Sequence, residues 1–186
     1  MHVAVCIVAF HNAADVAHCL VELARSQHTD FEVVVCENGG PEAFANLKAA
    51  IPDALPGGQT VRAVLAAGNL GYAGGVNLCL ETAPEADAWW VLNPDTAPDP
   101  GALAALVERL GREDCDAVGC TLRLPSGVIQ SHGGHWRRLL ARAVSIGHST
   151  PWAAPVDAAE IERRQNYLNG AAMLMSRRFV EVAGPM

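Results

Sequence analysis

The chain begins with an uninterrupted apolar run from Val3 to Ala9. A short run rich in β-branched residues predicts a strand covered on both faces, because a strand with one wet face would alternate apolar and polar residues. Apolar residues then recur at helical spacing from Ala13 to Gln27, and Asn12 is the expected cap of that helix. A buried strand followed by an amphipathic helix is the unit whose repetition builds a parallel sheet covered by helices.

The alternation of strand and helix patterns continues to Gly111. Further strands are predicted at Phe31 to Cys36, Thr60 to Ala66 and Asp87 to Leu92. Helices are predicted from Pro41, and near Val76 to Thr82 after a glycine-rich connection at Gly68 to Gly75. A further helix is predicted with Asp99 as its cap, Pro100 in its first turn, and an inward stripe of Leu103, Leu106, Val107 and Leu110. We therefore predict an α/β fold of the Rossmann-like type, with a mostly parallel sheet and helices on both faces.

Beyond Gly111 the pattern becomes shorter and less regular. Ala117 to Leu124, a turn at Pro125-Ser126-Gly127, and Val128 to Gln130 predict a hairpin, which is a small antiparallel addition to the fold. Ser131 to Pro155 is predicted as a long irregular stretch, either a binding element or disordered. Asp157 to Arg164 predicts a short polar helix, Tyr167 to Ser176 a final strand, and Arg177 to Val182 one or two helical turns.

Composition excludes some classes of function. A length of 186 residues and a hydrophobic content of 51% suit one packed domain, and the net charge of −7 argues against nucleic acid as the main partner. The one basic cluster, Arg137, Arg138 and Arg142, fits a solvated face, although it would also suit an acidic ligand or an anionic membrane surface. The six cysteines are scattered without a C-x-x-C pair, and the first residues lack a basic signal region. Most of the cysteines also lie in apolar runs, so we predict buried, reduced thiols in a cytoplasmic protein.

The tetrapeptide Asn93-Pro94-Asp95-Thr96 directly follows the apolar run that ends at Leu92. It places one carboxylate at the carboxyl end of a predicted strand, where α/β sheets bind their ligands. Oxygen ligands on a short stiff loop suit Mg²⁺ or Mn²⁺ shared with a phosphate. The alternative is an ordinary turn in which Pro94 fixes φ and Asp95 bonds nearby amides.

Six blocks occur in order along the chain: Val8-Ala9-Phe10-His11-Asn12, Val35-Cys36-Glu37-Asn38, Asn69 to Asn77, Leu92-Asn93-Pro94-Asp95-Thr96, Gly127 to Ser131, and Asn169 to Arg178. Together they resemble the family 2 glycosyltransferases, most closely the rhamnosyltransferase-like branch. The resemblance implies a GT-A fold that binds a nucleotide-diphosphate sugar at the carboxyl edge of the sheet. It also implies an inverting transfer to an acceptor hydroxyl, on a saccharide or a lipid-linked acceptor, in cell-surface polysaccharide biosynthesis.

The resemblance also implies which residues bind the sugar donor. Asp95 matches the carboxylate that holds the divalent metal, Mg²⁺ or Mn²⁺. The positions expected to contact the sugar donor are Ala9, Phe10, Asn12, Glu37, Asn38, Gly71, Gly74, Asn77, Asn93 and Asp95. Glu37 stands where the family usually has Asp, and His11 where it usually has Asn. Peripheral association with the inner face of a membrane is compatible with such a function.

Several of these residues have a purely structural alternative. Phe10 would then be a core residue, Glu37 a solvated strand end, and the glycines of Gly71 to Gly75 an ordinary flexible loop. The pair His132 and His135 is disfavoured as a metal site, because no carboxylate or third ligand accompanies it.

In the family, the segment resembling Val182 to Met186 is followed by one that contains the general base. No residue here matches that motif, so the chain is expected to be a truncated piece of a longer enzyme. Residues 1–111 are expected to form the half that binds the sugar donor, and residues 112–186 the acceptor side. The alternative is a non-catalytic nucleotide-sugar-binding module or an inactive fragment. A nucleotidyltransferase is disfavoured, because its glycine-rich phosphate loop would follow the first strand.

Overall fold

The computed structural model describes all 186 residues. The strands are β1 (Val3–Ala9), β2 (Phe31–Glu37), β3 (Val61–Leu65), β4 (Ala88–Leu92), β5 (Ala117–Gly119), β6 (Leu122–Arg123), β7 (Ile129–Ser131), β8 (Gly134–Arg137), β9 (Arg142–Ser145) and β10 (Ala172–Ser176). The helices are α1 (Ala13–Leu23), α2 (Pro41–Ala50), α3 (Gly71–Thr82), α4 (Ala102–Leu110), α5 (Ala158–Arg164) and α6 (Arg177–Ala183), with one 3₁₀-helix at Arg138–Leu140.

Six strands form the central sheet in the order β3-β2-β1-β4-β10-β5. The first four are parallel, whereas β10 runs antiparallel to both β4 and β5. Ala9 pairs with Glu37 and Glu37 with Leu65, so β1, β2 and β3 end at the same edge. Ala172 pairs with Leu92, which brings the start of β10 to the end of β4. The predicted fold class, a mostly parallel sheet with a small antiparallel addition, is confirmed.

The sheet separates two hydrophobic cores, which explains the uninterrupted apolar run in β1. Val5 and Ile7 face the larger core with α1, α2 and α4, whereas Ala4 and Cys6 face the smaller core with α3. Every residue of β1 is buried. Burial of alternate residues on opposite faces therefore leaves no position in this strand for a polar side chain.

One helix end and two caps differ from the sequence predictions. Helix α1 ends at Leu23 rather than Gln27, because the Gln27 amide donates to the carbonyl of Pro100. Asn12 does not cap α1, since its side-chain oxygen accepts instead from the Phe10 amide at 3.0 Å. Asp99 does not cap α4, because its carboxylate pairs with Arg123.

The glycine-rich segment is helical rather than a connection. Helix α3 begins at Gly71 instead of near Val76, and it lies close against β1. A Cβ atom added at Gly75 would lie 2.7 Å from Cγ1 of Val8. The small residue at this position therefore permits the close packing of helix on sheet.

The second part of the chain is more ordered than its sequence predicts. The predicted hairpin is formed by β6 and β7, but β5 leaves it to join the central sheet. The stretch predicted as irregular contains β8 and β9, which pair from Gly134 with Ser145 to Arg137 with Arg142. The final strand begins only at Ala172, because Asn166 and Tyr167 bond to Gly134 of β8.

Helix α5 is confirmed as predicted, with Asp157 as its cap accepting from the Glu160 amide. None of the helices combines the length and hydropathy that crossing a bilayer requires.

All six cysteines are free, and Cys6, Cys19, Cys36 and Cys79 are buried. Burial raises the pKa of the Cys19 thiol to about 11 and that of Cys36 to about 12. The prediction of buried thiols holds for these four, whereas Cys115 and Cys120 are partly exposed. The buried sulfurs behave as small apolar groups.

We expect a thiol-alkylating reagent at about pH 8 to leave these four cysteines unmodified in the folded protein, because the reagent cannot reach their buried sulfur atoms, and burial also raises the pKa of Cys19 and Cys36. Mass spectrometry should find label mainly on Cys115 before denaturation, because burial also raises the pKa of the partly exposed Cys120 to about 12, and on all six cysteines afterwards. Prompt labelling of Cys6 or Cys79 in the folded state would contradict the described packing.

The close approach of α3 to β1 predicts that Gly75→Ala lowers the free energy of unfolding. Overpacking against Val8 costs ~1–3 kcal/mol, partly offset by a gain of ~1 kcal/mol in helix propensity. Urea denaturation measures the difference. Gly68→Ala is the control, because the added Cβ would have no atom within 4 Å. Equal stability of the two variants would argue against this packing.

Candidate functional site

Three loops meet at the carboxyl edge of the central sheet. They follow β1, β2 and β4. One backbone hydrogen bond joins the first two loops, and another joins the third loop to the segment that precedes β10. The amide of Asn38 donates to the carbonyl of Ala9 at 2.9 Å, and the amide of Asn93 donates to that of Ala171 at 2.9 Å. The fold thus brings the predicted residues of the first, second and fourth strand ends to one edge, where α/β proteins bind ligands.

Asp95 is exposed, and its carboxylate makes no hydrogen bond or ion pair within the protein. The turn around it is closed by Thr96, whose amide and hydroxyl both donate to the carbonyl of Asn93, at 3.3 and 2.7 Å. The alternative in which Asp95 bonds nearby amides is therefore wrong. The carboxylate is free to bind a ligand.

A single free carboxylate fits a metal that is shared with a substrate. No group of three or more His, Cys, Asp or Glu side chains is arranged to hold a metal ion. Mg²⁺ in particular is often bound by one or two carboxylates together with phosphate oxygens and water. Asp95 suits that arrangement and does not suit a cation held by protein ligands alone.

Tyr72, in the first turn of α3, connects this loop to the second part of the chain. Its hydroxyl lies 2.9 Å from Oδ1 of Asn93 and 2.8 Å from the carbonyl oxygen of Gly170. Burial, with a smaller contribution from the charge of Asp95, raises the pKa of Tyr72 to about 12. The phenol is therefore a hydrogen-bond donor at neutral pH. The sequence predictions did not single out this residue, although it stands within the glycine-rich block.

Glu37 is fully buried, so the alternative of a solvated strand end is wrong. Its Oε1 accepts from the amides of Gly39 at 2.7 Å and His11 at 3.3 Å. Its Oε2 is buried without any partner in the protein. An unpaired buried oxygen is costly, and a hydrogen-bond donor on a ligand would compensate for that cost.

Phe10 is 54% exposed, so it is not a core residue. Its ring meets that of His11 edge to face, with centroids 4.6 Å apart. His11 has φ +56°, in the left-handed region where Asn and His are enriched among non-glycine residues. The backbone therefore explains why His can replace the Asn that is usual at this position in the resembling family. Gly39 lies next to these side chains, and a Cβ added there would be 2.8 Å from both Nε2 of His11 and Oε1 of Glu37.

Asn38 and Asn77 use their side chains within the protein. Asn38 donates from Nδ2 to the carbonyl of Gly71 at 2.9 Å, and its Oδ1 accepts from the amide of Leu70 at 3.3 Å. Asn77 exchanges two hydrogen bonds with the backbone of Met186, at 3.0 and 2.9 Å. It lies in the second turn of α3 rather than the first, because the helix starts earlier than predicted.

Gly71 and Gly74 are not part of a flexible loop. Gly71 has φ +69° at the first position of α3, which favours glycine, and its carbonyl accepts from Asn38. A Cβ on Gly74 would lie 2.7 Å from Cβ of Leu70. Both glycines therefore meet a structural requirement of this helix start.

The two histidines considered as a metal pair have separate partners. Nδ1 of His132 lies 2.9 Å from the hydroxyl of Thr121, and burial lowers the pKa of His132. Nδ1 of His135 lies 3.2 Å from the carbonyl of Arg164. Neither belongs to a metal-binding group.

The backbone at His11 predicts a difference between two substitutions. His11→Val should destabilise the protein by about 1–2 kcal/mol, because a β-branched residue is disfavoured at positive φ, whereas His11→Asn should stay near the wild-type value. Urea titrations of both variants measure this difference. If His11→Val matched His11→Asn, the left-handed conformation would be wrong.

A protein-family model described as glycosyltransferase like family 2 matches residues 1–184. The search among curated proteins gave no significant match.

Several solved structures share the fold at low sequence identity. A mannosyltransferase from Pyrobaculum calidifontis, in complex with GDP-Man and Mn²⁺, has a TM-score of 0.64 and 18% identity, covering 99% of this chain and 47% of its own. GalNAc-T7 with UDP, GalNAc and Mn²⁺ has a TM-score of 0.69 and 13% identity, covering 100% and 37%. S. aureus TarS (1-349) in complex with UDP-GlcNAc has a TM-score of 0.54 and 16% identity, covering 66% and 35%. The chain thus spans between about a third and a half of the length of these proteins.

Proposed function

This chain belongs to the glycosyltransferase like family 2, and we propose that it binds a nucleotide-diphosphate sugar at the carboxyl edge of its sheet and transfers the sugar to an acceptor hydroxyl. The observation that carries this proposal is the free carboxylate of Asp95 on the loop after β4. It is exposed, unpaired and at the sheet edge where ligands bind in α/β folds. The solved structures with GDP-Man or UDP-GlcNAc support the class of sugar donor.

We propose that Asp95 holds Mg²⁺ or Mn²⁺ together with the diphosphate. When bound, the cation would neutralise the charge that develops on the leaving diphosphate, which is worth several kcal/mol in such reactions. Asn93 lies at the start of the same loop, and the contact of its Oδ1 with Tyr72 holds it in place. These residues orient the loop before any ligand binds.

Glu37 and Phe10 suit the nucleoside end of the sugar donor. Oε2 of Glu37 is buried and unpaired, so a shift of the residues that cover it would let it accept a hydrogen bond from a base N–H or a ribose hydroxyl. The exposed ring of Phe10 offers a face on which a base can stack. Ala9, Asn12, Asn38, Gly71, Gly74 and Asn77 remain predicted as surrounding positions, and their protein contacts make them supports for the site rather than free ligands.

Residues 1–111 would form the half that binds the sugar donor, and residues 112–186 the acceptor side. An inverting transfer requires a carboxylate that takes the proton of the acceptor hydroxyl as it attacks, a contribution of ~10²–10⁴-fold. No residue described above fills that role. The sequence blocks favour the rhamnosyltransferase-like branch and a saccharide or lipid-linked acceptor of cell-surface polysaccharide biosynthesis. The scattered cysteines favour a cytoplasmic location.

The second candidate is a nucleotide-sugar-binding module without transferase activity. Both candidates bind the sugar donor, so binding alone does not separate them. Formation of glycosylated product from labelled sugar donor by this 186-residue chain would exclude the second candidate.

The free carboxylate predicts that Asp95→Asn weakens nucleoside diphosphate binding in the presence of Mn²⁺ by at least about 10- to 100-fold. Removing a residue that hydrogen-bonds to a metal ligand typically lowers metal affinity by about 10- to 100-fold, and removing a direct ligand should lower it at least as much. Calorimetric titration with UDP, GDP and dTDP, with and without Mn²⁺, measures the effect.

Asp99→Asn is the matched control, because Asp99 is a nearby exposed carboxylate that pairs with Arg123 instead of facing the site. It should leave the dissociation constant unchanged. A nucleotide present at a concentration of about 100 times its Kd should also raise the free energy of unfolding of the wild type by about 2.7 kcal/mol. Identical Mn²⁺-dependent affinity of the wild type and Asp95→Asn would overturn the proposed role of Asp95.

A further inference from the structure

Charge is distributed very unevenly along this chain. Residues 117–156 contain four arginines and no aspartate or glutamate. The other 146 residues carry nine Lys or Arg and all 20 acidic residues, a net charge of −11. An acidic protein thus contains one exclusively basic segment.

Within this segment, three arginines have no acidic partner. Nine of the 13 Lys and Arg side chains form ion pairs with carboxylates elsewhere in the molecule. Arg177 donates to the carbonyls of Pro84 and Ala86 and lies over the ring of Trp89. The remaining three, Arg137, Arg138 and Arg142, make no ion pair and all lie on one hairpin.

We name this element the arginine hairpin: Gly134–Ser145, which comprises β8, the 3₁₀-helix and β9. Its strands form a separate two-stranded sheet, with one isolated bridge from Gly134 to Tyr167, and none of its residues belongs to either core. At its tip, Leu139 is 102% exposed and Leu140 64% exposed, with Trp136 also exposed on β8. Two exposed leucines thus lie in the sequence between Arg138 and Arg142, next to three arginines that make no ion pair.

We propose that the arginine hairpin binds the surface of an anionic lipid bilayer. The leucines and Trp136 would enter the boundary between headgroups and acyl chains, and the arginines would contact the lipid phosphates. A nucleic acid bound to the arginines would leave Leu139 and Leu140 exposed to water. A second copy of the chain would bring three arginines against three others, so charge complementarity favours a lipid surface over self-association.

The base of the hairpin adjoins the candidate site. The Trp136 amide donates to Oδ1 of Asn166 at 2.7 Å, and the amide of Gly134 bonds to the carbonyl of Tyr167. The chain continues directly to Gly170, which accepts from Tyr72 at the site. A hairpin on a membrane therefore holds the site near that surface. This last step rests on the proposed function, and it selects a lipid-linked acceptor over a soluble one.

The test is sedimentation of the purified 186-residue chain with vesicles of phosphatidylcholine alone or mixed with phosphatidylglycerol. The wild type should bind only the mixed vesicles, less tightly as salt rises. Replacing all three arginines (R137Q, R138Q and R142Q) should weaken partitioning about 100-fold, given the usual contribution of each basic residue near such a surface. Leu139→Ser with Leu140→Ser should weaken it at least about 10-fold.

Matched controls separate the hairpin from general charge and apolar exposure. Arg25→Gln, Arg112→Gln and Arg163→Gln together remove the same charge from exposed sites elsewhere, and Val21→Ser with Val182→Ser removes exposed apolar groups. Both controls should bind like the wild type. The proposal is overturned if the wild type does not bind anionic vesicles, or if the control variants lose as much binding as the hairpin variants. It is also overturned if light scattering shows a dimer of the wild type that the double leucine variant no longer forms. No sugar donor is needed, so the outcome is independent of the proposed function.

Discussion

Strands β1 and β2 pair with each other and are covered by other elements on both faces. This is the constraint on which the rest of the structure depends. All of β1 is buried, and β2 is buried apart from one partly exposed residue. A slip of one residue would exchange the two faces of a strand, which the separate cores above and below do not allow. The register between Ala9 and Glu37 is thereby held, and the loops after these residues meet at a defined distance.

Most of the first half was predictable from sequence because each element there is specified locally. The apolar runs of β1, β2 and β4 end within one residue of their predicted bounds, and Pro41 begins α2 as predicted. The start of α3 was not predictable from the sequence, because glycine has low intrinsic helix propensity. Only the packing of this glycine-rich segment against Val8 explains why it is helical. The strands of the arginine hairpin were missed because they face solvent and carry no apolar alternation.

The candidate site was predictable in position but not in its internal contacts. Asp95 follows a clear strand, so its place at the sheet edge could be derived. The burial of Glu37 depends on amides from His11 and Gly39, one of them 26 residues away. Tyr72 was missed because its partner Gly170 is 98 residues away, and no local pattern records such a contact.

The separation of charge between the arginine hairpin and the acidic remainder gives the molecule an electric dipole. As the protein diffuses toward any negatively charged body, that dipole exerts a torque that turns the basic end forward. Ionic screening limits the torque to separations of about 8 Å at physiological salt, so the rotation occurs just before collision. First encounters with such bodies are therefore not random in orientation.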